Sequence, residues 1–165
     1  MKNLLKTYWR IIQLKGHAYE LPYRPLLPAY WIGLDLAIVM LLSAVLGEGF
    51  LRDLAIEVAD LSYTGAALFF ALWYYNHRAR FVQTFSAMLG VGALFLAMLA
   101  VLMMIFRFNM AIAVLSQVIY FWILIIYTHI FKDALEISFM RAVAWIVGIE
   151  LARFLVITQI LQGLT

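Results

Sequence analysis

Cysteine is missing from the 165-residue chain. Its absence excludes a disulfide framework, a thiolate nucleophile and a cysteine-ligated zinc site. Proline is confined to Pro22, Pro25 and Pro28, so no later segment is broken by a residue that lacks a backbone N–H. Charge is scarce as well: Asp, Glu, Lys and Arg make up 13% of the chain, against about 25% in a soluble domain. That leaves too little polar surface to cover a globule in water. No H-E-x-x-H, G-x-S-x-G, Walker or G-x-G-x-x-G pattern occurs, so the sequence reads as non-enzymatic and calls for no cofactor. What is abundant is apolar: 67% of residues are hydrophobic and the mean hydropathy is +0.97. Lipid is the expected covering.

The expected fold class is all-α, a polytopic transmembrane bundle of five spans preceded by an amphipathic interfacial helix. Apolar runs cover about 30–46, 60–75, 81–106, 110–131 and 142–161, and a span needs roughly 20 such residues. Residues 49–59 read as an amphipathic extension of the second span beyond the membrane. Residues 1–29 form a separate cytoplasmic part, which does not resemble a cleavable signal peptide. In it, Leu4, Leu5, Tyr8, Ile11 and Ile12 share one helical face and Lys2, Lys6 and Arg10 the opposite one. A basic face of this kind suits an anionic lipid surface; the helix could equally cap its own bundle. The stretch "ELPYRPLLP" then serves as a stiff linker.

Basic residues set the orientation. With the N-terminus in the cytoplasm, Lys15, Arg24, Arg78, Arg80, Lys132 and Arg141 join the basic face inside, and only Arg52 and Arg107 lie outside. Five spans then carry the C-terminus to the periplasm of a bacterial inner membrane. Trp31, Trp73, Tyr74, Tyr75, Tyr127 and Trp145 lie near span ends, the position of an interfacial aromatic belt. Because topology accounts for the basic residues, no nucleic-acid partner is expected.

The fifth span holds the polar residues that need explaining. Glu150 and Arg153, three residues apart, can pair on one helix face. Such a pair is either a clip that fixes helix register or part of a transport path. As an isolated clip, it should tolerate an exchange of the two charges. Ala144, Gly148 and Ala152 form a small-residue stripe where another helix can approach closely, so protein is expected on two faces of this helix. Asp35 and Asp60 are boundary carboxylates, within possible reach of Arg141 and of Arg153 or Arg107 respectively. His129, Asp133 and Glu136 share a face with metal-ligand spacing, although a helix leaving the membrane gives the same pattern and no bound metal is expected.

Two stretches, "RARFVQTFSAML" at 78–89 and "FKDALEISFMRA" at 131–142, with the lead-in "YELPYRPLLP", resemble bacterial members of the Yip1 family. That family's DLYGP signature, typical of its eukaryotic members, is absent. The resemblance implies five spans, a cytoplasmic N-terminal segment and an accessory or organising membrane role without a catalytic residue set. The expected function is therefore a non-enzymatic inner-membrane accessory protein. Its expected partners are the lipid bilayer and other membrane proteins or further copies of itself. The alternative is a small oligomeric transporter or channel with Glu150 and Arg153 in its polar path.

Overall fold

A computed structural model describes residues 2–46, 49–106 and 110–163. These form six α-helices: α1 (Lys2–Ile12), α2 (Leu27–Leu46), α3 (Phe50–Tyr74), α4 (Phe81–Phe106), α5 (Met110–Leu135) and α6 (Phe139–Gly163). Single 3-10 turns at Ala18–Glu20 and Arg78–Arg80 complete the order, and no strand occurs among the described residues. Four helical stretches, Leu27–Val45, Phe50–Tyr74, Arg78–Phe106 and Met110–Leu135, are long and apolar enough to cross a membrane. The protein is thus all-helical and suited to a membrane location. Glu48, Arg107 and the side chain of Lys2, all used in the reading of topology and the basic face, lie outside the described residues.

The second span begins earlier than its apolar run. Residues 50–59 join Asp60 in one continuous helix, since nothing between Phe50 and Asp60 is a helix breaker. Asp53 sits in the first turn, where a carboxylate complements the helix dipole, and it accepts a hydrogen bond from Ser43 near the end of α2. This contact pins the α2–α3 hairpin. Its effect on the site is to bring Glu57, which the sequence places outside the membrane, inside the bundle.

Helix α4 lies at the centre, packed against α1, α2 and α5. Its segment Thr84–Val91 is buried throughout. The hydroxyls of Thr84 and Ser86 donate one turn back to the carbonyls of Arg80 (2.8 Å) and Val82 (2.6 Å), so neither presents an unpaired polar group to its neighbours. Gly90 makes room for α1. A Cβ there would stand 2.3 Å from the Tyr8 ring. Tyr8 and Ile11 are fully buried, and the Tyr8 hydroxyl donates to the Ser86 carbonyl at 2.8 Å. Tyr8 and Ile11 thus pack into the bundle, while Leu5 of the same apolar face is exposed, as are Lys6 and Arg10 on the other side. Arg10 is partly committed, pairing with Glu20 at 3.0 Å.

At its C-terminal end α5 is closed by Arg80, whose guanidinium donates to the carbonyls of Asp133 (3.3 Å) and Ala134 (3.1 Å) and to the Glu136 carboxylate. Glu136 itself turns into the left-handed region, φ 55°, which lets Ile137 N–H reach back to the Lys132 carbonyl at 3.2 Å. The Arg80 hydrogen bond and charge hold the Glu136 carboxyl below its ordinary 4.5. A lowered folded-state pKa contributes stability above the unfolded value, and that contribution is lost as pH falls through the folded one. The melting-temperature difference between wild type and Glu136→Gln should accordingly be constant at neutral pH and shrink below about pH 4.5. A difference independent of pH would show that the carboxylate charge is not what closes this turn.

Candidate functional site: a charged cavity between four helices

The polar residues of α2, α3, α5 and α6 converge on one cavity of about 90 Å³. Asp35, Asp60, Thr64, Tyr127, Glu150 and Arg153 contribute its polar lining. Measured along each helix at 1.5 Å per residue, Asp35, Asp60 and Glu150 lie about 12–16 Å from their helix starts. That places them near the middle of their helices rather than at their ends.

Arg153 is the hub. Its Nε and Nη2 engage both carboxylate oxygens of Asp60, the latter at 3.0 Å. Its Nη1 donates to Glu150 Oε2 at 3.1 Å. The planar fork of arginine suits such two-point binding, which a lysine cannot reproduce. Glu150 is held further by the Tyr120 hydroxyl, 2.8 Å from Oε2. Nearby, the Tyr63 hydroxyl donates to the Ile149 carbonyl at 3.0 Å. Tyr127 donates to the Met88 carbonyl at 3.1 Å and borders the cavity, a buried role rather than that of an interfacial belt residue.

The expected contacts sort clearly. Glu150 and Arg153 meet, but as two corners of a triad with Asp60. Asp60 is ten residues inside α3, in a helix that runs on through residues 50–59 as the sequence leads one to expect. Asp35 does not meet Arg141, which is exposed; it lies instead near Glu57 and Asp60 of α3, close enough for their carboxyl groups to interact electrostatically. The cluster thus gathers the carboxyl groups of Asp35, Glu57, Asp60 and Glu150 around a single guanidinium among the described residues. Glu57 escaped the sequence reading because its neighbours Arg52 and Asp53 mark a solvated stretch. The available signal was the spacing of Glu57 and Asp60, three apart on one helix face.

The small-residue stripe behaves differently. Ala144, Gly148 and Ala152 are exposed, and a Cβ on Gly148 would meet nothing within 4 Å. Among the described residues, nothing of this chain packs closely on the stripe, which leaves that face of α6 open. With Ala66, Ala67 and Phe70 of α3, Ala144 and Gly148 line an open groove of about 500 Å³. The proposed metal spacing is also rearranged. Asp133 lies between His129 and His17, whereas Glu136, beyond the end of α5, is taken by Arg80.

No family profile, curated protein or solved structure matches the chain.

Proposed function

We propose that the protein is a five-span inner-membrane protein, N-terminus cytoplasmic, that moves protons through the acidic cluster as a small transporter. The observation that carries this reading is the convergence of Asp35, Asp60, Glu150 and Arg153 on one cavity, with Glu57 near Asp35. Carboxyl groups crowded together repel one another when all are ionised, so such a cluster favours holding a shared proton. One guanidinium cannot offset four carboxylates in a low-dielectric core. The cluster therefore holds exchangeable positive charge, and ionisable groups at mid-bilayer commonly mark proton or ion pathways. In this reading α6 is the fifth span, the pair Asp35 and Glu57 carries the proton, and Arg153 fixes the two remaining carboxylates.

The test is proton flux into liposomes that contain the purified protein and an internal pH-sensitive dye, driven by a potassium diffusion potential. Wild type should acidify the lumen faster than empty liposomes. Asp35→Asn and Glu57→Gln should each bring the rate to background while eluting normally in size-exclusion chromatography. Flux unchanged in both variants, or absent in wild type, sinks the proposal.

The exposed groove favours a second reading, the Yip1-like accessory role. Small residues on α3 and α6 admit a closely packed helix from another membrane protein or another copy. Mass spectrometry of the protein purified in mild detergent at native expression decides this: a stoichiometric membrane partner supports it, and none removes it.

A further inference from the structure

At the end of the bundle where the α1–α2 segment meets α5, His17, His129 and Asp133 converge. One donor atom from each lies within 4.8 Å of the other two. His129 Nε2 is buried, makes no hydrogen bond and stands 3.5 Å from Asp133 Oδ2. His17 Nδ1 approaches the same oxygen at 2.5 Å. The two imidazoles lie side by side, centroids 5.8 Å apart and planes 25° from parallel.

We propose that His17, His129 and Asp133 bind a divalent transition-metal ion of the zinc type. Zinc at about 2.0–2.2 Å from nitrogen and oxygen ligands spaces them about 3.3 Å apart in a tetrahedron. The His129–Asp133 separation already matches that edge. The His17–Asp133 pair must open by under about 1 Å to reach the same spacing, and His17, on a partly exposed loop, has the freedom to do so. Two imidazoles disfavour magnesium and calcium, and the lack of cysteine disfavours cuprous copper. The nearby Arg80 does not oppose a cation strongly, since Glu136 and two carbonyls of α5 occupy its guanidinium. A bound ion would tie the loop after α1 to α5. This site uses none of the residues of the proton pathway; its α5 ligands lie about half a turn (His129) and under two turns (Asp133) beyond Tyr127.

The experiment uses tag-free protein in detergent, because a polyhistidine tag would itself bind the probe. Zn²⁺ is titrated against a chromogenic chelator, and Co²⁺ is followed by its visible ligand-field bands. Wild type should take up one equivalent of Zn²⁺, undisturbed by excess Mg²⁺, and give tetrahedral Co²⁺ bands. His129→Ala and Asp133→Asn should weaken binding by at least about 100-fold, since changes to outer partners alone cost about 10–100-fold. His17→Ala, on the exposed loop and least able to disturb folding, should do the same, and His77→Ala should bind as wild type. Absence of stoichiometric Zn²⁺ in folded wild type overturns the proposal. So does unchanged affinity in His17→Ala or in correctly folded His129→Ala.

Discussion

Arg153→Met should destabilise the bundle by about 3–5 kcal/mol, because removing the cation leaves two half-buried carboxylates without a partner. Asp60 and Glu150 would lose their shared cation in a region where water cannot replace it. Arg153→Lys should fall between the two, keeping the charge but losing the fork that spans both carboxylates. The exchange Glu150→Arg with Arg153→Glu is also expected to fail. An isolated pair would survive it, but here the exchange puts a carboxylate at position 153 against Asp60. Thermal denaturation and size-exclusion profiles in detergent measure all three. An exchanged protein as stable as wild type would remove Asp60 from the triad, and a stable Arg153→Met would remove the triad as a source of stability.

Gly90→Leu should release α1 from the bundle. The first atom of the new side chain would overlap the Tyr8 ring, which is fully buried and bonded to Ser86. Losing a buried aromatic of this size costs about 3–5 kcal/mol. The cost falls on α1, since α2–α6 pack without it. Trypsin should then cut after Lys15 much faster, leaving the bundle intact, whereas Arg24 is shielded from it by the following Pro25. Tyr8→Ala should also loosen α1, and adding it to Gly90→Leu should cost less than the sum of the two, as for residues in direct contact. Equal cleavage rates in wild type and Gly90→Leu would show that the Tyr8–Gly90 contact does not hold α1.

Helix class was legible because apolar runs of span length admit few other solutions, and lipid removes the alternative of an open sheet. The face of α1 was legible too: Tyr8 and Ile11, on the apolar side, are the residues buried. Which surface covers that face was not, because an apolar stripe suits lipid and protein equally. The charged cavity was half legible. Glu150 and Arg153 stand out in an apolar run, whereas Glu57 is camouflaged by Arg52 and Asp53. Its depth depends on where α3 starts, which the Ser43–Asp53 contact helps to set. His17 could not be found by spacing, since it comes from a loop 116 residues from Asp133.

The mid-height position of the cluster has an electrical consequence. Moving one elementary charge across a whole membrane against 100 mV is worth about 2.3 kcal/mol. A proton that reaches Asp35 and Glu57 from the cytoplasm crosses about half of that field. Its binding is therefore worth about 1 kcal/mol per 100 mV, some fivefold in occupancy. If the cluster carries protons as proposed, energised and de-energised membranes would hold it in different charge states at the same pH.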